Sequence, residues 1–251
     1  MTNPDNNTSD LAFVPATELR NLIVTKQVSP VELTQLYLER IERLDSSLNA
    51  YLTVDVDGAM AAAQEAEDAV FDGADLGPLH GVPISIKDLQ LTKGIRTTGG
   101  SAIFGDRIPT EDSIAVERIR KSGAVILGKT NTPEFGLLGI TVNRLGEPCR
   151  NPWNPDRTTG GSSGGAGAAT AAGLCALAEG SDGGGSIRIP ASFCGIYGIK
   201  PTQGRVPKYA GRSLPPLANH FSQAGPMART VRDAATLFQV LAGYDARDPS
   251  S

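Results

Sequence analysis

The chain has 251 residues, 40% of them hydrophobic and 20% charged, as expected of an ordinary globular chain with enough length for one large domain or two small ones. A formal net charge of -4 gives no electrostatic reason to expect a nucleic-acid or anionic-membrane partner. No apolar run is long enough to span a bilayer, and MTNPDNNTSD lacks the charged and apolar regions of a signal peptide, so residues 1–10 read as a disordered lead-in.

Residues 16–26 predict a short helix. Ser29-Pro30-Val31-Glu32 then opens a longer one: Ser29 caps, Pro30 suits the first turn, and Glu32 completes a capping box. Leu33, Leu36, Ile41 and Leu44 continue it at helical spacing. An Ala/Glu-rich helix follows at 58–71, and Val82 to Ile86 forms a short strand that ends at Lys87-Asp88. Residues 111–122 predict a helix stopped by Gly123, with a buried strand at Ala124 to Leu127. The small residues from Gly164 to Ala172 suit a tightly packed helix. Short strands follow at Cys175–Ala178 and Ile196–Ile199, and Thr230 with Asp233 opens a last amphipathic helix running to Leu241. Helices alternating with short apolar strands give an α/β class: a mixed, largely parallel sheet sandwiched by helices, in one domain over residues 11–251.

The three cysteines, Cys149, Cys175 and Cys194, include no CxxC pair, which points to free thiols in a reducing, cytoplasmic setting. Cys194 in ASFCG reads as a small core residue rather than a nucleophile. The two histidines, His80 and His220, lack metal-ligand spacing, and His80 in PLHGVP reads as a turn or packing residue; no metal is expected. GAVILGKT, residues 123–130, matches the P-loop letters, but its interior is itself the predicted strand rather than a flexible loop. That makes a nucleotide site the weaker reading of these residues.

Serines and lysines remain. TTGGSSGGAG sets Ser162 and Ser163 between glycine pairs, and GSDGGGS sets Ser186 after Gly183, Gly184 and Gly185. Glycine at such points lets backbone N–H groups converge on a ligand, as stabilisation of an oxyanion requires. A serine nucleophile also needs a base. With histidine scarce, a desolvated neutral lysine is the natural substitute, and Lys87 at the end of an apolar strand has the context for it. Taken alone, those residues equally allow a salt bridge between Lys87 and Asp88 or another acid.

Four ordered blocks go further: GPLHGVPISIKD, SGAVILGKTNTPEFG, RNPWNPDRTTGGSSGGAGAA and GSDGGGSIRIPASFCGIYGIKPTQGRVP. In these the chain strongly resembles the amidase signature family of serine hydrolases over nearly all of residues 15–250. The resemblance implies a Lys–cis-Ser–Ser triad of Lys87 as base, Ser162 as bridge after a cis Gly161-Ser162 bond, and Ser186 as nucleophile. It also implies an oxyanion hole from the N–H groups of Gly183, Gly184, Gly185 and Ser186, with Ser163, Asp182 and Arg188 supporting the loop. Gly183 departs from the threonine or other side chain that many relatives carry, but the donor there is a backbone group. The implied activity is hydrolysis of carboxamide C–N bonds through a Ser186 acyl-enzyme, without cofactor. Aryl amides lead as substrates, with carbamates (urethanes) a further class; homodimerisation is left open. The alternative within the family is the glutaminase subunit of a tRNA-dependent amidotransferase, which tends to carry SIRQPA and TNMDEF where this chain has SIRIPA and TNTPEFG. The family's catalytic domain usually runs well beyond 251 residues, so the implied domain is its N-terminal portion, carrying the whole triad.

Overall fold

The computed structural model describes residues 11–208 and 221–251; the expected lead-in at 1–10, and His220, lie outside them. Helix α1 (Ala16–Val24) precedes α2 (Pro30–Leu48). The Ser29 hydroxyl accepts from the N–H groups of Val31 (3.1 Å) and Glu32 (3.2 Å), satisfying two orphan donors of α2. The capping-box expectation is half met: the serine's hydroxyl bonds form, with its own proton going to Glu67, but the reciprocal bond from the Ser29 backbone N–H to the Glu32 carboxylate is not made. Glu67 belongs to α3 (Val56–Phe71), which follows β1 (Tyr51–Val54). Strand β2 (Pro83–Lys87) is buried along its whole length. Helix α4 (Ile114–Lys121) starts later than expected, after Ser113, and Gly123 at φ +82° ends it.

Strand β3 (Val125–Thr130) runs straight through Gly128-Lys129-Thr130. The P-loop match is therefore overturned: six of its eight residues form a buried strand, and the Lys129 amine is spent on Gln90, Thr92 and Thr97. A two-stranded ribbon, β4 (Arg150–Asn151) and β5 (Asn154–Thr158), leads to α5 (Gly164–Ala171), β6 (Leu177–Asp182), α6 (Arg188–Cys194) and β7 (Tyr197–Gly198). Strand β8 (Gln223–Ala228) and α7 (Val231–Leu241) complete the described elements.

The main sheet has the order β1-β3-β2-β6-β8-β7. Strands β3, β2 and β6 are parallel neighbours at its centre, while β1 and β8 run opposite to them. Helix α3 packs on β3, α5 on β2, β3 and β6, and α7 on β8. The small residues of α5 matter at atomic scale. A Cβ on Gly165 would lie 2.3 Å from the Asn131 nitrogen and 2.4 Å from the Ala50 carbonyl oxygen, so the helix approaches backbone directly.

Two side chains, Asp233 on the last helix and Arg229 just after β8, tie down the beginning of the described chain. Thr17 donates its backbone N–H and its hydroxyl to Asp233, each at 2.9 Å across 216 positions of sequence. The Arg229 guanidinium donates to the carbonyls of Ala12, Thr170 and Cys175. Because the central strands are parallel, their carboxyl ends share one edge of the sheet, where α/β proteins place their sites. Lys87 and Asp182 are the last residues of β2 and β6 at that edge.

Candidate active site

Lys87 is fully buried, and its Nζ meets three hydroxyls: Ser162 Oγ at 2.7 Å, Ser163 Oγ at 2.8 Å and Ser181 Oγ at 3.1 Å. The salt bridge that the residues alone allowed does not form. Asp88 instead accepts from the N–H groups of Thr98 and Gly100 and from the Thr98 hydroxyl. Burial pulls the Lys87 ammonium well below the ordinary lysine range; the buried Glu179 and Asp182 carboxylates act in the opposite sense. A lysine so placed holds no fixed charge near neutrality, as a base needs.

Ser162 and Ser163 lie in the turn before α5, and the Gly161-Ser162 peptide bond is cis. The turn at 134–136 closes over this pair. A Cβ on Gly136, which has φ +70°, would stand 3.2 Å from Ser162 Oγ and 2.7 Å from Leu89, so no side chain fits there. Ser163 is tied down on several sides: its Oγ donates to the Ser181 carbonyl (3.1 Å) and accepts from the Ser181 N–H (3.2 Å). Its own N–H donates to the Ser186 carbonyl at 3.1 Å, which joins the two serine loops.

The loop after β6 is organised by Asp182. The carboxylate accepts from the N–H groups of Gly185 (2.7 Å), Ile187 (3.2 Å) and Arg188 (3.3 Å). It is also gripped by Arg188 Nε at 2.9 Å and Nη2 at 3.0 Å, a two-pronged pair. Burial alone would raise this carboxyl, but Arg188 and the three amides outweigh it and hold it at about 2.

This arrangement corrects one expectation. The Gly185 N–H is spent on Asp182 and does not face a ligand. Gly185 serves the turn instead, at φ +117° with its α-carbon packed against Ile189. Among the described residues none accepts from the N–H groups of Gly183, Gly184 or Ser186, and Gly183 and Gly184 are exposed.

The cysteines are free and buried, and burial raises all three thiols, Cys194 to about 12. His80 is buried, with Nε2 2.8 Å from the Ala66 carbonyl oxygen, which makes it a packing residue. No cluster able to hold a metal ion occurs among the described residues.

Sequence reasoning missed Ser181, Glu179, Gln90 and Lys129. Ser181 supplies the third hydroxyl around Lys87. Glu179 accepts the Lys87 backbone N–H at 3.2 Å and Gln90 Nε2 at 2.9 Å. Lys129 donates to the Gln90 carbonyl and to Thr92 and Thr97. A signal was present for Glu179, since a carboxylate inside the apolar run CALAEG has to find partners when buried.

The profile of the amidase family matches residues 32–251. A glutamyl-tRNA(Gln) amidotransferase subunit from Carboxydothermus hydrogenoformans is 45% identical over 96% of this chain and 49% of its own. The corresponding protein from Synechococcus sp. (strain CC9311), of the same name, is 48% identical over 92% and 47%. Among solved structures, a bacterial aryl acylamidase of the amidase signature family superimposes with a TM-score of 0.89 at 40% identity, over 95% of this chain and 49% of that one. The native peptide amidase from Stenotrophomonas maltophilia gives 0.86 at 35%, over 94% and 49%. The chain thus spans about half the length of the curated relatives it matches. With the family profile, this sequence identity and the shared central sheet in agreement, the chain belongs to the amidase signature family, whose enzymes act on C–N bonds.

Proposed function

We propose that this chain carries the catalytic triad of an amide-cleaving serine hydrolase, with Lys87 as base, Ser162 as bridge and Ser186 as nucleophile. One observation supports this above all: a fully buried lysine amine lies 2.7 Å from the hydroxyl of Ser162, whose neighbour Ser163 is hydrogen-bonded to Ser186. Ser186 Oγ attacks the amide carbonyl carbon. Its proton passes to Ser162 Oγ, and the Ser162 proton passes to the lone pair of neutral Lys87 Nζ. The N–H groups of Gly183, Gly184 and Ser186 receive the oxyanion. The C–N bond breaks as the proton returns through Ser162 to the departing nitrogen. Water then attacks the acyl-Ser186 ester over the same relay and releases the acid.

Two substrate readings share that chemistry. The relatives named as amidotransferase subunits reach 48% identity, against 40% for the aryl acylamidase. That favours the glutaminase subunit of a tRNA-dependent amidotransferase, with glutamine as amide donor and further subunits as partners. It reverses the order in which SIRIPA and TNTPEFG place the two readings. The standalone reading, on aryl amides or carbamates, keeps the support of those two blocks and of the aryl acylamidase superposition at TM-score 0.89. A substrate panel on the full-length gene product tests both, scoring ammonia from glutamine against amine from anilides and aryl carbamates. Ammonia from glutamine alone is expected; turnover confined to anilides or carbamates overturns the glutaminase reading, and none by Ser186 on any amide overturns the triad.

A further inference from the structure

Glu179 is a fully buried carboxylate that the reaction above does not use. Its Oε2 accepts the Lys87 backbone N–H and its Oε1 accepts from Gln90 Nε2, so both partners are neutral. The Gln90 carbonyl receives the ammonium of a second fully buried lysine, Lys129. Glu179 therefore stands on β6 with one lysine on adjacent β2 and another on β3 beyond it. A buried charge with only neutral partners is costly, and a cation close by relieves that cost.

From this geometry, and resting on the reading of Lys87 as base, we infer that Glu179 is a positioning residue: it is the buried counter-charge, shared by Lys87 and Lys129, that sets when Lys87 gives up its proton. The other charges near these groups are already committed. Asp182, the second carboxylate acting on Lys87, is neutralised by Arg188. Asp88, which acts on Lys129, is occupied by Thr98 and Gly100. Arg107 and Asp112 also act on Lys129, in opposite senses; Arg107 donates to the Thr97 carbonyl and Asp112 pairs with Arg120. Asp88, like Glu179, has no paired cation, but of these carboxylates Glu179 is the one that acts on both lysines. Burial raises its carboxyl above the usual range, while the hydrogen bond from Gln90 first, and then Lys87 and Lys129, pull it back. Burial likewise lowers Lys129, to about 7. Lys87 thus keeps its proton to higher pH with the carboxylate on the adjacent strand than without it.

The test is the pH dependence of Ser186 labelling by a fluorophosphonate in the full-length protein, which needs no knowledge of the natural substrate. Glu179→Gln keeps an acceptor for the Lys87 N–H and removes the charge. Its labelling midpoint is expected about one pH unit below wild type, so labelling below that midpoint runs about tenfold faster. Glu179→Asp, which keeps the charge, should return the midpoint toward wild type. Should Glu179→Gln not fold, Gln90→Leu withdraws a donor from the same carboxylate, weakens it as a counter-charge and also lowers the midpoint. An unmoved midpoint in a folded Glu179→Gln or Gln90→Leu protein, or an equal shift in Glu179→Asp, overturns the inference. Lys87→Ala separates this failure from that of the underlying reading. If the ionisation survives there, Lys87 is not the base; if it vanishes while Glu179→Gln leaves the wild-type midpoint in place, only the role of Glu179 falls.

Discussion

At the scale of single residues the site turns on whether one amine carries a proton. Lysine ordinarily titrates near 10.4 and is a poor base at neutral pH; burial of Lys87 lowers that threshold. Acylation should therefore rise with pH along one ionisation, because the active form is the deprotonated one. Lys87→Arg should abolish it, since guanidinium does not give up its proton in proteins. Single-turnover acylation of an activated amide across pH measures this, and wild-type rates in Lys87→Arg would reduce Lys87 to a structural group. Ser186→Ala should remove the single fluorophosphonate adduct seen by intact mass; an adduct of undiminished stoichiometry would place the nucleophile elsewhere. Iodoacetamide should leave activity nearly unchanged at neutral pH. Burial raises the thiols of Cys149, Cys175 and Cys194, which keeps the reactive thiolate scarce. Rapid stoichiometric inactivation prevented by substrate would contradict that.

At the scale of elements, the Asp182 carboxylate organises the loop that carries Ser186. Its native-state value of about 2 lies below the ordinary aspartate value of about 3.9, so its stabilising effect is complete above the latter and is lost as pH falls toward the former. Asp182→Asn should remove the ionic grip on Arg188 and flatten that part of the acid-unfolding curve. Circular dichroism between about pH 5 and pH 2 would show it, and identical acid transitions in both proteins would refute it. Helix α5 invites a second substitution. Gly165→Ala drives a methyl group into the backbone at Asn131 and Ala50, and should destabilise by about 1–3 kcal/mol or more in urea titration. The sequence reveals α2, α3, α5 and α7 through caps, periodicity and small-residue runs. It reveals β2 and β3 through unbroken apolar stretches. Strand β6 was expected to stop at Ala178, because Glu179, Ser181 and Asp182 look like loop residues until their buried partners are known. Strand β8 was not expected: Gly225 and Pro226 are residue types that strands avoid, and only pairing with β6 and β7 identifies it. The residues proposed as the triad were legible as whole motifs. The fate of the Gly185 N–H was not, since a single φ angle decides where it points.

At the scale of the whole molecule, the sheet collects the proposed catalytic groups from segments far apart in sequence: Lys87 from the end of β2, the serine pair from the entry to α5, and Ser186 from the loop after β6. The same long-range economy governs the closure of the molecule. Thr17 waits for Asp233, and the carbonyl of Ala12 waits for Arg229, across more than two hundred positions. A ribosome adding about 5–20 residues per second needs about 10–40 s to cover the 216 positions between Thr17 and Asp233. Through that interval α1 exists as a nascent segment with its buried face, Ala16, Leu19 and Ile23, deprived of its last neighbour. Pulse-labelled chains halted before residue 229 should accordingly be cut by protease within α1, and chains released past α7 should resist. Equal resistance in both would mean that the amino-terminal helices dock before the strand and helix that complete them emerge.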